Sequence, residues 1–181
     1  GLRELMHSGH HDEVVELGER LFEAGLRQVE QADDGGETAM AIEDCFCVVA
    51  TSLREASLED HEKVLLAMDW LLRDEFEFAS SLRPMVEDAW STDVWIRVAE
   101  SLLVQLQQFS FKSKFRRGMV SRWATAALDR AGEKETADRL CEVEAVQSDE
   151  YLWIVQRYVD QERWDEATEW ARRGFVKVRQ T

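Results

Sequence analysis

The residues of this chain best suited to chemistry lie between Phe109 and Trp123, where it reads FSFKSKFRRGMVSRW. This basic-aromatic stretch contains no acidic residue. Its basic members are Lys112, Lys114, Arg116, Arg117 and Arg122, and its aromatic members are Phe109, Phe111, Phe115 and Trp123. Basic side chains attract phosphates and aromatic rings stack on bases, so this composition is typical of a surface that binds nucleic acid.

Two other interpretations of the basic-aromatic stretch stay open. In the first, Phe115 and Trp123 pack in the core, and the basic side chains balance acidic residues in the first half of the chain. In the second, the stretch contacts a protein or a peptide. The net charge of −15 weighs against nucleic acid, because it weakens nonspecific attraction to phosphate.

The three cysteines do not have the spacing of a zinc site. Cys45 and Cys47 could supply the first half of a Cys-x-Cys and Cys-x-His pattern, but no histidine follows two residues after Cys141. Residues two apart on a helix also point about 200° away from each other. We therefore expect buried structural thiols.

The clustered histidines offer a weaker metal hypothesis. His7, His10 and His11 lie near Asp12 and Glu13, and these side chains could assemble a surface metal site. The repeat described below gives a simpler interpretation of His11, as a packing residue at a turn. No metal and no cofactor is therefore predicted.

No constellation of residues indicates catalysis. The sequence lacks a nucleophile next to a base, a carboxylate pair in an apolar setting and a glycine-rich phosphate loop. Gly35 and Gly36 follow two acidic residues, which disfavours phosphate. We expect a protein that is not an enzyme.

Composition predicts a soluble, all-α protein. The chain has 181 residues, of which 45% are hydrophobic and 33% charged, with a single proline. No apolar run approaches the roughly 20 residues that cross a bilayer, so no membrane partner is expected. The odd number of cysteines suits a reducing compartment and predicts a cytoplasmic location. The acidic excess lies in residues 1–100, whereas residues 101–181 are close to neutral.

Apolar residues at three- and four-residue spacing predict a succession of helices. Ser57, with Asp60 three residues later, has the form of a capping box for one of them, and Ser148 is expected to cap the final hairpin, 151–178. The expected helical ranges before that hairpin are 12–32, 38–56, 57–72, 84–90, 93–109, 115–131 and 133–146. The segment 1–7 is too short to cover the helix that follows, and the chain begins with Gly. These two features predict a piece of a longer parent protein.

The final hairpin turns at Glu162-Arg163, and its second helix has an apolar stripe. We expect the following residues of that stripe to face inward: Ala167, Trp170, Ala171, Gly174, Phe175 and Val178. The outer face is expected to be a polar cap with Arg172, Arg173, Lys177 and Arg179. Because one hairpin cannot bury both faces alone, the pattern predicts neighbouring hairpins.

Segments of the chain repeat. Residues 12–22, DEVVELGERLF, match residues 165–175, DEATEWARRGF, at five identical positions. The segment 131–141 fits the same frame, and the period is about 30 residues. Helix, tight turn and helix at this period are typical of an array of α-hairpins.

The final hairpin resembles a tetratricopeptide (TPR) repeat. Tyr151 and Tyr158 stand where that family has aromatic residues in its first helix, Trp164 stands at the aromatic that begins the second, and Ala167 at the small residue where the helices cross. The period is shorter than the usual ~34 residues. The family's Leu-Gly pair is replaced by Ile154-Val155, and no proline follows Phe175.

The whole chain looks more loosely like the helical regions that follow SWIM zinc fingers in some bacterial proteins. The shared features are a leading DEVVEL helix, the acidic loop 33–36, a middle segment ending in Asp69-Trp70 and a closing repeat. This resemblance implies an accessory or scaffolding region of unknown ligand.

The fold class expected is therefore an all-α, right-handed array of antiparallel helical hairpins, a TPR-like α-solenoid. We expect an acidic helical subdomain over 1–109 and a TPR-like block over 115–181, with one continuous solenoid as the alternative. The first helices of the hairpins would form a groove for a protein or peptide segment. The candidate partner-binding residues are Lys112, Arg116, Arg122, Arg130, Gln156 and Asp160. The alternatives are a nucleic-acid accessory module using residues 109–123 and a purely structural spacer.

Overall fold

The computed structural model describes residues 1–31, 36–108 and 114–178, and over these residues the chain is helical with no strand. The expectation of an all-α protein is confirmed. The helices are α1 Leu2–His7, α2 His11–Gln31, α3 Glu37–Glu55, α4 Asp60–Arg73, α5 Arg83–Glu87, α6 Thr92–Gln108, α7 Lys114–Arg130, α8 Lys134–Ser148, α9 Tyr151–Asp160 and α10 Trp164–Val178, with a short 3-10 turn at Ser80–Leu82.

The chain forms two compact units, Gly1–Trp90 and the part from Ser91 onward. In the first unit α2 packs on α3, and in the second each helix from α6 to α10 packs on the next in sequence. Residues 110–113, which lie between the two predicted subdomains, are outside the described residues. Within the described ranges, no helix combines the length and the apolarity required to cross a membrane.

Aromatic rings form the core of the first unit. Phe22 of α2 lies 5.7 Å from Phe46 of α3 and 5.3 Å from Phe78, between ring centroids. Phe46 also packs edge-on against Trp70 of α4 at 5.7 Å. All four side chains are buried, and edge-to-face packing of this kind adds to the stabilisation that burial provides.

Two glycines let α2 and α3 approach closely. A Cβ atom added to Gly18 would lie 2.7 Å from Cγ1 of Val49, and one added to Gly25 would lie 3.0 Å from Cδ1 of Ile42. Both distances are shorter than ordinary van der Waals contact. Gly18 and Gly25 therefore belong to the surface of α2 that contacts α3.

Three helix–helix turns share one hydrogen-bond pattern. Each has a residue in the left-handed region, namely Gly9 (φ 80°), Gly132 (φ 85°) and Glu162 (φ 58°). The next residue donates its N–H to a carbonyl near the end of the first helix: His10 to Leu5 at 3.0 Å, Glu133 to Leu128 at 2.8 Å and Arg163 to Tyr158 at 2.8 Å. This pattern satisfies carbonyl groups that a helix end leaves open. The turns between α1 and α2, α7 and α8, and α9 and α10 are thus one repeated structure.

The two predicted serine caps are wrong. Helix α4 is capped by Glu59, which forms a capping box with Glu62. Ser57 instead donates its N–H and its hydroxyl to the Asp12 carboxylate, at 2.8 and 2.6 Å. Ser148 is the last residue of α8 and donates to the Glu144 carbonyl at 2.7 Å, while α9 has Glu150 as its cap residue.

The apolar stripe of α10 is only partly inward-facing. Ala167 and Trp170 are buried, as predicted, and Gly174 lies against Tyr151 of α9. Phe175, in contrast, is 59% exposed, because it lies on the side of α10 that faces away from α9. The prediction that Phe175 faces inward is wrong, and so is the same prediction for Ala171, which is also exposed. The side chain of Val178 lies outside the described residues.

Candidate binding groove

Arg157 of α9 connects three helices of the second unit. Its guanidinium group binds both carboxylate oxygens of Asp129, in the last turn of α7, at 2.7 and 2.8 Å. Its Nε donates to Asp138 of α8 at 2.7 Å. Only 11% of the Arg157 side chain is exposed. Bidentate pairing of this kind fixes orientation as well as supplying attraction, so Arg157 sets the spacing of α7, α8 and α9.

Asp138 is shared by donors from the turn that follows α9. Gln161 donates to it at 3.1 Å, and Arg163 also donates to it. Burial by itself raises the pKa of this carboxyl, but the hydrogen bonds from Gln161, Arg157 and Arg163 and the positive charge of Arg157 lower the pKa below its usual value. The hydrogen bond with Asp129, joined by that with Asp138, raises the pKa of Arg157 against the opposing effect of burial. The ion pairs therefore keep both groups charged.

A groove of about 580 Å³ opens beside these ion pairs, and we name it the α7–α9 groove. It is lined by residues of α7, α8, α9 and the turn after α9: Asp129, Lys134, Glu135, Asp138, Trp153, Gln156, Arg157, Asp160, Gln161 and Arg163. Trp153, Gln156 and Asp160 are spaced at three and four residues, so they form one stripe of α9 along the groove. The groove therefore has a fixed ionic floor and one row of α9 side chains.

Three of the predicted partner-binding residues lie at or near this groove. Gln156 and Asp160 line it, both are exposed, and the Gln156 amide donates to the Asp160 carboxylate at 2.8 Å. Arg122 of α7 lies 5.9 Å from the centre of the Trp153 ring and 3.4 Å from the Glu150 carboxylate. A partner in the groove would thus reach side chains of both α7 and α9.

The other three predicted residues lie elsewhere. Arg130 packs its guanidinium group 4.5 Å from the centre of the Trp95 ring of α6. Arg116 is exposed in the first turn of α7 and does not line the groove. Lys112 lies outside the described residues.

Two arginines of the basic-aromatic stretch, Arg117 and Arg122, are bound to acidic residues of their own unit. Arg117 forms a bidentate pair with the buried Glu144 of α8, at 2.8 and 2.7 Å, and also donates to Gln147 at 2.8 Å. Ser121 donates to the same Glu144 carboxylate at 2.9 Å. The expectation that Phe115 packs in the core is wrong, because its side chain is 71% exposed.

The cysteines and histidines are dispersed. Cys141 is buried, and desolvation raises the pKa of its thiol to about 12, whereas Cys47 is exposed and contradicts the expectation of three buried thiols. His10 lies 3.2 Å from Glu13, and His11 is half-buried. Over the described ranges, no three His, Cys, Asp or Glu side chains are grouped to hold a metal ion.

The sequence interpretation missed most of the groove lining. The place of Trp153 on the groove could have been inferred from helical spacing, since it precedes Gln156 by three residues and Asp160 by seven. The sequence contains no comparable signal for Asp129, Asp138 and Arg157, because their pairing depends on how three helices pack. Only Trp153, Gln156 and Asp160 of α9 could have been found from periodicity.

The lowered pKa of Asp138 predicts acid-sensitive stability. Because the folded-state pKa lies below the unfolded value of about 3.9, the carboxylate contributes stability that is fully present above that value and is lost as pH falls through the folded-state pKa. We expect Asp138→Asn to flatten the fall in unfolding free energy between about pH 5 and pH 2. Urea titrations followed by circular dichroism at several pH values measure this slope. Asp44→Asn, at an exposed site of α3, is the matched control and should keep the wild-type slope.

The α7–α9 groove can bind through hydrogen bonds, ion pairs and one indole ring. Its lining includes no serine, threonine, cysteine, histidine or tyrosine. Its exposed charges are of both signs. Comparisons with protein-family models, curated proteins and solved structures give no significant match to this chain.

Proposed function

We propose that this chain is a non-enzymatic protein-interaction module whose hairpins form a right-handed, TPR-like array. In this proposal an extended or helical polypeptide segment binds in the α7–α9 groove. The observation that carries it is the row formed by Trp153, Gln156 and Asp160 beside a floor fixed by Arg157. A floor held by ion pairs needs little reordering when a partner binds, which lowers the entropic cost of association.

The repeated turn supports an array of hairpins. The three turns at Gly9, Gly132 and Glu162 share their backbone hydrogen bonds. The turns at Gly132 and Glu162 place Ala137 and Ala167 at equivalent positions, and both are buried, while the turn at Gly9 places the buried Val14 there. A small residue at the same place in successive hairpins is what close crossing of two helices requires, and the TPR-like resemblance implies the same feature.

The lining indicates the chemistry of the segment. Lys134 and Glu135 of α8 place opposite charges next to each other, and Asp160 of α9 adds a second exposed carboxylate. The half-exposed Trp153 ring offers the apolar contact. We infer a segment with one apolar or aromatic anchor beside charged residues, and a basic side chain that reaches Asp160.

One observation favours nucleic acid as a second candidate. Phe115 is 71% exposed and lies between the exposed Lys114 and Arg116. Exposed aromatic and basic side chains together suit single-stranded nucleic acid. Arg117 and Arg122 are bound to Glu144 and Glu150, which leaves fewer basic groups for phosphate, so we prefer the polypeptide.

Peptide selection tests the proposal directly. A random peptide library is selected on the wild-type protein, and the affinity of each enriched peptide is measured by fluorescence anisotropy. We expect the double variant Gln156→Ala, Asp160→Ala to bind enriched peptides about tenfold more weakly or worse. Glu100→Lys, at an exposed site of α6, should bind as wild type.

Two outcomes would contradict the polypeptide proposal. One is that no peptide is enriched, and the other is that every enriched peptide binds the double variant with wild-type affinity. A mobility shift with single-stranded DNA at low salt that Phe115→Ala abolishes would support the nucleic-acid candidate instead.

A further inference from the structure

Helix α10 has a second apolar stripe on the side that faces solvent. Trp164 is 61% exposed and Phe175 is 59% exposed. Thr168 and Ala171 lie between them and are also exposed. The spacing of these four residues is four, three and four, which places them along one face of a helix. This face, which we name the α10 stripe, is distinct from the one that buries Ala167 and Trp170.

The repeated turn shows what covers the equivalent face in the earlier hairpins. When the turn at Glu162 is aligned with the turn at Gly9, Ala171 and Phe175 of α10 are equivalent to Gly18 and Phe22 of α2. Both of those residues are buried beneath α3, where Gly18 meets Val49. In α8 the equivalent residues, Cys141 and Ala145, are fully buried. The same face of a hairpin's second helix is therefore buried in two hairpins, whereas in α10 its large residues are 61% and 59% exposed in the part of the chain that the structure describes.

Charges along the α10 stripe are arranged for pairing with a second α10. Asp165 and Arg172 lie on the same flank of the stripe, seven residues or about two turns apart. Both are exposed, and neither forms an ion pair with another residue in the described part of the chain. In an antiparallel pair of α10 helices, Asp165 would face Arg172 of the second copy, and the two-fold symmetry would repeat this contact.

The apolar residues match in the same arrangement. Antiparallel pairing sets Trp164 opposite Phe175 of the second copy and Thr168 opposite Ala171 of the second copy. A large ring would thus meet a large ring at each end, with two pairs of small side chains at the centre, where the helices cross. One geometry therefore satisfies both the charged flank and the apolar stripe.

We propose that the α10 stripe is a homodimerisation surface, formed by antiparallel packing of two copies of α10. The dimer buries Trp164 and Phe175, which solvent otherwise contacts, and forms two Asp165–Arg172 pairs across the dyad. The α7–α9 groove is made by other faces of the second unit, so dimerisation presents two grooves at once.

A charge-swap experiment tests this geometry. The wild-type protein is examined by sedimentation velocity from about 1 µM to about 1 mM, and we expect a monomer–dimer equilibrium within that range. Asp165→Arg alone and Arg172→Asp alone each place two like-charge pairs across the dyad. We expect each variant to raise the dimer dissociation constant about tenfold or more. An equal mixture of the two variants restores both opposite-charge pairs and is expected to form a heterodimer.

Control variants separate this surface from general changes of charge or fold. Arg139→Asp makes the same charge change as Arg172→Asp, but at an exposed site of α8, and this variant should dimerise as wild type. Phe175→Ser removes an exposed ring and should weaken the dimer with no change in the far-ultraviolet circular dichroism spectrum. The proposal is overturned if the wild type stays monomeric at the highest concentration, if either single charge variant dimerises as wild type, or if the mixture stays monomeric.

Discussion

Replacing Trp170 with alanine is expected to lower the free energy of unfolding by about 3–5 kcal/mol. The Trp170 side chain is 6% exposed and packs in a cluster with Cys141, Ile154 and Tyr158. Its ring lies 6.2 Å from the Tyr151 ring. The substitution leaves a large cavity between α9 and α10, because the backbone cannot collapse far enough to fill it. Urea unfolding followed by circular dichroism at 222 nm measures the change.

The same helix provides the matched control for Trp170. Trp164 is an equally large residue six positions earlier, but it is 61% exposed. Trp164→Ala should therefore change the unfolding free energy of the monomer by less than about 0.5 kcal/mol. A Trp170→Ala variant within 1 kcal/mol of wild type would refute the assignment of the inner face of α10.

Breaking the Arg117–Glu144 pair is expected to cost about 3 kcal/mol. Glu144 has a side chain that is only 6% exposed, and it accepts hydrogen bonds from both Arg117 and Ser121. Glu144→Leu leaves the part-buried Arg117 guanidinium group without its carboxylate, and removing one partner costs more than the intact pair contributes. The double variant Arg117→Met, Glu144→Leu removes both charges. We expect it to recover most of the loss, which a double-mutant cycle in urea would measure.

The exposed Arg122–Glu150 pair is the control for the buried Arg117–Glu144 pair. It joins α7 to the cap residue of α9 at 3.4 Å, but its side chains are 54% and 49% exposed. Water screens such a pair, so Glu150→Gln should cost under about 1 kcal/mol. Equal losses from Glu144→Leu and Glu150→Gln would show that burial is not what distinguishes the two pairs.

Most of the helices were predictable because their apolar periodicity is local. The predicted ranges 38–56 and 164–178 correspond to helices that begin and end within a residue of them, Glu37–Glu55 and Trp164–Val178. The all-α character follows from the same signal. Hydrophobic spacing specifies the element, and the packing of neighbours only adjusts where it ends.

Contacts between distant residues were not predictable in the same way. Ser57 has the sequence signature of a cap, yet Asp12, far away in sequence, binds its N–H and hydroxyl groups. Phe175 lies between two possible faces of α10, and periodicity does not tell which one α9 covers. Of the candidate site, Gln156 and Asp160 line a groove, and their role in binding stays a prediction.

The order of packing in the second unit has a consequence for how it folds. From α6 to α10 each helix packs on the next in sequence, and even the Arg157–Asp129 bond joins residues only 28 positions apart. Loop-closure entropy is therefore small at every step, and the relative contact order of the unit is low. Folding can begin in any hairpin and spread to its neighbours, so we expect refolding on the microsecond-to-millisecond timescale of helical proteins.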